Sequence, residues 1–158
     1  MIRSGIGYDA HRLAPGRKLI LGGIEIPHAM GLEGHSDADV LSHAIADALL
    51  GAIGERDIGH HFPNTDETMR GISSIDILQR VTALLGQKKA RAVNVDVTLI
   101  AEAPKIAPHI SAMRERIASA LQLEQSRISI KATTNEGLGA LGRGEGMAAM
   151  AIATVEQE

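Results

Sequence analysis

Segments with the two-residue period of a β-strand alternate along this chain with segments that have helical spacing. In residues 93–99, the apolar side chains are separated by Asn94, Asp96 and Thr98, as in a strand with one buried face. In residues 40–52, apolar side chains recur every three or four positions, as in an amphipathic helix. This interleaving predicts an α+β (mixed α/β) fold, in which a mixed β-sheet carries its helices on one face.

Local signals place the turns and the ends of the predicted elements. Gly22-Gly23 predicts a hairpin, because paired glycines accept the positive φ of a two-residue turn. Ser36 and Asp39 resemble a capping box before the first helix, and Gly54 is a natural stop after it. The other predicted segments are strands at 2–8, 19–21, 24–26, 128–133 and 147–155, helices at 75–85 and 110–121, and loops at 55–73 and 137–146.

The chain is unusual in its shortage of aromatic side chains. Only Tyr8 and Phe62 are aromatic among 158 residues, so the core must be built from aliphatic side chains. Small aliphatic side chains bury less area each than aromatic ones. Burial between subunits would add to this area, so the composition favours an oligomer. No linker or repeat divides the chain, and residues 1–158 are expected to form a single domain.

Charge and composition exclude several classes of partner. The net charge is −3 and no basic run is present, which argues against nucleic acid as a ligand. The apolar segments are too short to cross a membrane, and the first residues have no apolar signal region. The chain contains no cysteine, as suits a reducing compartment. We therefore expect a cytoplasmic protein that binds neither nucleic acid nor membranes.

Histidines and aspartates cluster in the first part of the chain. Asp9 and His11 are two positions apart at the end of the first predicted strand, so they share one side of it. His43 lies on the first predicted helix, with Asp39 and Asp47 one turn away to fix its tautomer. Together, Asp9, His11 and His43 would leave zinc an open fourth position, as in catalytic sites. The same spacing also fits a buried His43 satisfied by a neighbouring aspartate, without any metal.

Two later segments carry weaker signals. Residues 137–142 match G-x-G-x-x-G, but a strand is predicted next rather than a helix, so a dinucleotide-binding motif is rejected. The glycines could bring the backbone close to a phosphate or a subunit, or could form a plain hairpin loop. Thr133, Thr134 and Glu136 follow a strand and could serve phosphate oxygens and a hard cation, or be solvated. Lys105 could contact an anion or be merely exposed.

These motifs, in this order, resemble those of the cyclodiphosphate synthases of the non-mevalonate isoprenoid pathway. The resemblance covers nearly the whole chain, and the joint pattern is highly specific. The matching stretches are residues 7–11, 34–43, 47–51, 54, 57–59, 62–63, 94–96, 103–105, 131–134 and 142–146.

The resemblance implies a homotrimer with active sites between its subunits and two divalent cations at each site. A zinc ion would be held by Asp9, His11 and His43 and would bind the β-phosphate of 4-diphosphocytidyl-2-C-methyl-D-erythritol 2-phosphate. Magnesium or manganese would bridge the α- and β-phosphates with help from Glu136. The 2-phosphate of the substrate would attack the β-phosphorus, and CMP would leave. Since this nucleophile is already an anion, the reaction needs charge stabilisation rather than a general base.

The resemblance also implies roles for individual residues. His35 and Thr134 match positions that stabilise the transition state. The methylerythritol portion would contact Asp57, Ile58, Gly59, Phe62, Pro63, Asn64, Thr65 and Asp66. The cytidine and its phosphates would contact Ala101, Glu102, Ala103, Pro104, Lys105, Ile106, Ala107, Thr133, Thr134, Asn135 and Glu136. The remaining expected substrate contacts are Asp9, Ala10, His11, His35, Ser36, Ala140 and Arg143.

Arg143 and Glu145 would face the threefold axis, where members of this family can carry an isoprenoid-like ligand. Two positions depart from the usual pattern. Asn64 replaces an aspartate; because an amide both donates and accepts, a contact with a substrate hydroxyl could survive at a different strength. Ala140 replaces a bulky aromatic residue, so an axial pocket would be wider or differently lined.

Two other functions remain compatible with the residues. A metal-dependent phosphohydrolase would use a water nucleophile and form no cyclic product. A non-catalytic trimeric protein would bind nucleotides or terpenoid diphosphates without turnover, and its binding would survive removal of the metal.

Overall fold

A computed structural model describes residues 1–158. Its strands are β1 (Ile2–Pro15), β2 (Leu19–Leu21), β3 (Ile24–Ile26), β4 (Met30–Leu32), β5 (Ala90–Ile100), β6 (Ile128–Thr133) and β7 (Gly146–Gln157). Its α-helices are α1 (Val40–Ile53), α2 (Ile58–His61), α3 (Ser74–Gln87), α4 (Ile110–Leu121) and α5 (Gly139–Gly142). Single 3₁₀ turns lie at Glu67–Met69, Ala107–His109 and Gln125–Arg127. No helix is both long and apolar enough to span a bilayer.

The main sheet has the strand order β4-β1-β7-β5-β6, and β2 and β3 form a separate ribbon. β5 and β6 run parallel to each other, whereas the other pairs in the main sheet are antiparallel. Alternate residues of β7 show that the helices cover one face: Ala151 and Ala153 are buried, whereas Met150 and Ile152 are exposed. The predicted mixed sheet with helices on one face is confirmed.

Helix α1 lies directly on the backbone of β1, and small residues make this approach possible. A Cβ atom on Gly7 would come within 1.9 Å of the Ala44 carbonyl oxygen, and one on Gly5 within 2.0 Å of the Ala48 carbonyl oxygen. Only glycine can occupy these strand positions at this separation. The shortage of aromatic side chains therefore has a structural counterpart, since the helix and sheet meet through glycines and alanines.

Apolar side chains remain exposed on the opposite face of the sheet. We call the exposed side chains of Ile2, Ile6, Tyr8, Met150 and Ile152 the open sheet face. Ile6 pairs with Ile152, and Tyr8 pairs with Met150, across β1 and β7. Their exposed fractions run from 46% to 66%, which is high for large apolar groups that lie side by side.

Several predicted boundaries were wrong. β1 continues to Pro15 rather than ending at residue 8, because Arg12 still pairs with Gly146 and Leu13 pairs with Leu32. The N-cap of α1 is Asp39, whose carboxylate accepts a hydrogen bond from the Ser42 N–H, so Ser36 does not form the predicted capping box. The predicted loops at 55–73 and 137–146 contain the short helices α2 and α5.

Candidate active site

The contact between α1 and β1 brings three candidate metal ligands together. Asp9 and His11 lie on the helix-facing side of β1, and His43 precedes Ala44, the residue that contacts Gly7. The Nε2 atom of His11 lies 2.9 Å from the Asp9 carboxylate and 3.2 Å from Nδ1 of His43. The third edge, from Nδ1 of His43 to the same Asp9 oxygen, is 3.0 Å. We call these three atoms the ligand triangle.

In each of the two histidines, the ring nitrogen that points away from Asp9 has a hydrogen-bond partner of its own. These partners indicate which ring nitrogen carries the proton. Nδ1 of His11 lies 2.7 Å from the Glu33 carbonyl oxygen, which can only accept, so this nitrogen carries the proton. Nε2 of His43 lies 2.8 Å from Ser74 Oγ and 3.1 Å from Ser36 Oγ. When Nε2 of His43 donates to these hydroxyls, both histidines turn an unprotonated nitrogen towards Asp9.

The electrostatics of the triangle follow from this arrangement. Burial by itself raises the pKa of Asp9. When the imidazoles of His11 and His43 carry protons towards its carboxylate, their hydrogen bonds outweigh that effect and lower the pKa to about 2. Burial lowers the pKa of His11, whereas the hydrogen bond with Asp9 raises it, and the net change is upward. A carboxylate and two imidazole lone pairs thus point at one another, an arrangement that is favourable when a cation or a proton lies among them.

The donor set fits a zinc-type ion. Zinc bonds of about 2.0–2.1 Å at tetrahedral angles place ligand atoms roughly 3.3 Å apart. The observed edges of 2.9, 3.0 and 3.2 Å are close to that spacing. Two imidazoles and one carboxylate are also ligands that zinc commonly binds. The prediction that Asp9, His11 and His43 converge is confirmed, and the triangle could hold a metal ion.

A cavity of about 420 Å³ opens beside the triangle. Its wall includes six further residues that were predicted to contact substrate: His35, Ser36, Ile58, Gly59, Phe62 and Asn64. It also includes four that were not predicted: Gly34, Met69, Ile72 and Ile77. The cavity therefore joins the triangle to the segment expected to hold the methylerythritol portion.

The predicted carboxylate partners of His43 were wrong. Asp39 instead accepts hydrogen bonds from the Gly22 and Gly23 N–H groups at 3.0 and 2.8 Å, so it anchors the β2–β3 turn. Asp47 accepts from the Ile58 N–H at 2.8 Å and so holds the start of α2. Burial raises the pKa of both carboxyl groups.

The partners of Nε2 of His43 are instead the hydroxyls of Ser36 and Ser74. Ser74 is fully buried at the start of α3, 31 positions from His43, and its hydroxyl also donates to Asp37. No local spacing could have indicated this pairing, because only the packing of α3 against α1 brings the two residues together.

A second group of predicted residues lies elsewhere on the chain. We call residues 101–107 and 133–136 the strand-end group, because they lie at or just after the ends of the parallel strands β5 and β6. The two segments are joined by a hydrogen bond from the Ala101 N–H to the Thr133 carbonyl oxygen, at 3.0 Å. The Asn135 N–H also donates to the Glu102 carboxylate at 2.8 Å.

Most of this group faces solvent, including Thr134, Lys105 and Glu136. Ile106 is an exception: its side chain is buried in the core, so only its main chain could contact a substrate. Glu136 has a φ of 53°, which is unusual for a residue other than glycine.

Sheet register separates the strand-end group from the ligand triangle. Asp9 pairs with Ala149, Ala149 pairs with Leu99, and Leu99 pairs with Ala132. Three strand spacings correspond to about 14 Å. Within one chain, the strand-end group therefore begins about three strands away from Asp9.

The remaining predicted contacts lie outside the cavity wall. Asp57 and Asp66 use their carboxylates as N-caps, accepting from the His60 N–H and from Thr68. Arg143 pairs with Glu145 at 3.1 Å on the exposed segment before β7. The others outside the wall are Ala10, Pro63, Thr65 and Ala140.

A model of the YgbB family matches residues 2–156. The chain belongs to this family. Among YgbB relatives, the 2-C-methyl-D-erythritol 2,4-cyclodiphosphate synthase of Symbiobacterium thermophilum is 59% identical over 151 residues, with 96% of each chain covered. The synthase of Alkaliphilus metalliredigens is 58% identical over 156 residues, covering 99% of this chain and 98% of the relative.

Solved structures agree with this membership. A 2-C-methyl-D-erythritol 2,4-cyclodiphosphate synthase in a CDP-bound form superposes with a TM-score of 0.90 at 37% identity, covering 98% of this chain and 100% of that one. IspF of Plasmodium falciparum, in a CDP complex, superposes with a TM-score of 0.86 at 32% identity, covering 99% of this chain and 97% of that one. The bifunctional IspDF of Campylobacter jejuni superposes with a TM-score of 0.95 at 38% identity. The match covers 100% of this chain but only 43% of IspDF.

Proposed function

We propose that this protein converts 4-diphosphocytidyl-2-C-methyl-D-erythritol 2-phosphate to 2-C-methyl-D-erythritol 2,4-cyclodiphosphate with release of CMP. The observation that carries the proposal is the ligand triangle, assembled inside a chain that is 59% identical to a synthase of that name. An oxygen of the 2-phosphate would form a bond to the β-phosphorus. The bond from that phosphorus to the oxygen it shares with the α-phosphate would break, and CMP would leave with that oxygen. The enzyme would be a phosphorus–oxygen lyase.

The residues of the cavity supply positioning and charge stabilisation. A zinc-type ion held by Asp9, His11 and His43 would act as a Lewis acid towards the β-phosphate. His35 lies in the cavity wall, where its imidazole could donate a hydrogen bond to a phosphate oxygen. Ile58 and Gly59 would hold the methylerythritol portion, because Asp47 fixes the start of their helix next to the cavity.

The strand-end group would bind the other half of the substrate. Thr134 and Glu136 are exposed and so are free to contact a diphosphate and a magnesium or manganese ion. Lys105 offers a positive charge in the neighbouring segment. The CDP complexes of related proteins support a cytidine diphosphate at this family's sites.

A homotrimer with active sites between subunits accounts for the separation of the two groups. A diphosphate is much shorter than the ~14 Å that three strand spacings place between Asp9 and Ala132 within one chain. A neighbouring subunit could bring its strand-end group to the triangle of the first. The open sheet face supplies an apolar surface for such an association.

Three narrower expectations accompany this proposal. Residues 1–158 would act as one catalytic domain. Arg143 and Glu145 would face the threefold axis, where an isoprenoid-like ligand could bind. The protein would reside in the cytoplasm, which cell fractionation would test.

The reaction itself is tested by phosphorus NMR of the purified protein with the cytidylyl substrate and divalent metal ions. We expect a cyclic diphosphate and CMP in equal amounts, with no uptake of water. A linear phosphorylated product would indicate a phosphohydrolase. Tight binding without any product, unchanged by a chelator, would indicate a non-catalytic binding protein.

The assembly is tested by sedimentation at micromolar concentration. We expect a trimer for the unmodified protein and dissociation for Ile152→Asp, which places a charge on the open sheet face. Gln79→Asp, on the exposed surface of α3, should leave the trimer intact. A stable monomer of the unmodified protein would rule out an interfacial site.

A further inference from the structure

Of the two histidines in the ligand triangle, only His43 has its second ring nitrogen, the one that points away from Asp9, buried against another helix. Its Nε2 atom lies 2.8 Å from Ser74 Oγ, in a bond shielded from water at the start of α3. The corresponding nitrogen of His11 contacts only a backbone carbonyl. The group that faces Nε2 therefore decides whether Nδ1 of His43 has a free lone pair for a metal.

The direction of the hydrogen bond between His43 and Ser74 follows from the partners of Asp37. The Asp37 carboxylate accepts from the Ser74 N–H at 3.0 Å, from the Asp39 N–H at 3.2 Å and from the Ser74 hydroxyl. A carboxylate only accepts, and a hydroxyl has one proton, so that proton points at Asp37. The Ser74 oxygen must then accept its other hydrogen bond, which comes from Nε2–H of His43.

We infer that Ser74, oriented by Asp37, is a positioning residue that selects the metal-binding tautomer of His43. With the proton on Nε2, the lone pair of Nδ1 faces Asp9 and His11. If Asp37 were absent, the Ser74 hydroxyl could rotate and donate to Nε2, which would place the imidazole proton on Nδ1, inside the triangle. This inference rests on the proposed function, because it concerns the metal ligand of that site.

Ser36 provides a weaker second acceptor. Its Oγ lies 3.1 Å from Nε2 of His43 and accepts a hydrogen bond from the Ala38 N–H. Loss of Ser74 alone would therefore leave one acceptor in place, whereas loss of both hydroxyls would leave Nε2 without a partner. The two serines should act on the same property of His43, with Ser74 contributing more because its bond is shorter and fully buried.

Zinc affinity, measured by competition with a chromophoric chelator, tests the inference on the folded trimer. Changes to the groups that orient a metal-bound histidine commonly weaken metal binding about 10- to 100-fold. We expect a loss of about 10-fold for Ser74→Ala and up to about 100-fold for Ser36→Ala/Ser74→Ala. Ser73→Ala removes the neighbouring hydroxyl, which caps α3 without touching His43, and should leave the affinity unchanged.

A double-mutant cycle separates positioning from a general structural effect. Asp37→Ala should weaken zinc binding while Ser74 is present, but it should add no further loss to Ser74→Ala, because Asp37 acts through that hydroxyl. Additive losses would overturn the relay from Asp37 through Ser74. Equal zinc affinities of the unmodified protein and Ser74→Ala would overturn the inference and leave the proposed function standing. Failure of the unmodified protein to bind zinc would overturn both.

Nitrogen-15 NMR of the zinc-free protein with labelled histidine gives a readout that does not depend on any variant folding. We expect His43 to carry its proton on Nε2, with a signal protected from solvent exchange. In Ser74→Ala, that proton should exchange faster, whereas in Ser73→Ala it should not. A proton on Nδ1 of His43, or an unprotected Nε2–H in the unmodified protein, would overturn the inference even if Ser74→Ala did not fold.

Discussion

The ligand triangle and the strand-end group differ in how far a single chain has already built them. The triangle is held by buried contacts between β1 and α1, and each histidine has an outer hydrogen-bond partner. The strand-end group is largely exposed, and its polar side chains contact little beyond their own loops. The triangle is thus assembled within one chain, whereas buried contacts do not fix the polar side chains of the strand-end group in one arrangement.

The largest expected effect is on the triangle itself. His43→Ala should abolish stoichiometric zinc binding and lower turnover by about 10³-fold or more, because a Lewis acid contributes several kcal/mol to phosphoryl transfer. The protein should stay folded. Metal analysis and kinetics would test this, with the exposed His28→Ala as the matched control. Normal zinc content and turnover in His43→Ala would rule out the triangle as the metal site.

The next prediction concerns the division of the site between subunits. Glu136→Ala should lower turnover by about 10²-fold with normal zinc content, since it removes one charged group from the strand-end group. When His43→Ala and Glu136→Ala chains are co-expressed, random mixing in a cyclic trimer should restore about one site in four. Activity of the mixed trimers, compared with each variant alone, measures this. No recovery would mean that both groups act within one chain.

A third prediction tests whether helix–strand contact keeps the triangle in shape. Gly7→Ala should destabilise the protein by roughly 1–3 kcal/mol, the usual range for overpacking, because the new methyl group meets the backbone of α1 at Ala44. Zinc affinity should fall as well, since His43 would move relative to Asp9. Gly86→Ala, where a Cβ meets nothing within 4 Å, is the control for thermal unfolding. Equal stability of the two variants would contradict this account.

The smallest expected effect lies at the cavity rim. Asn64→Asp would replace a neutral hydrogen bond to a substrate hydroxyl with a charge-assisted one, a difference of about 1 kcal/mol, or roughly fivefold to tenfold. We expect tighter substrate binding with unchanged metal content, unless nearby phosphates repel the added charge. Unchanged kinetic constants would mean that Asn64 does not contact the substrate. Altered zinc content would place it in the metal site instead.

The sequence predicted most of what is local. The period-two pattern of residues 93–99 and the Gly22-Gly23 turn fall within β5 and the β2–β3 hairpin. The D-x-H spacing of Asp9 and His11 correctly placed both on one side of a strand. The extension of β1 to Pro15 was missed, because strand pairing with β7 and β4, rather than local preference, keeps residues 9–15 extended.

The sequence by itself determined the order of the long elements, the three residues of the ligand triangle and the family resemblance, because periodicity and motifs survive in a linear chain. Tertiary structure alone decided which groups surround those ligands. Asp39 and Asp47 are one helical turn from His43, yet they bind Gly22, Gly23 and Ile58, whereas the distant Ser74 reaches its imidazole. The physical reason is that buried N–H groups need acceptors wherever the fold brings them, and the two carboxylates bind such groups rather than the imidazole of His43.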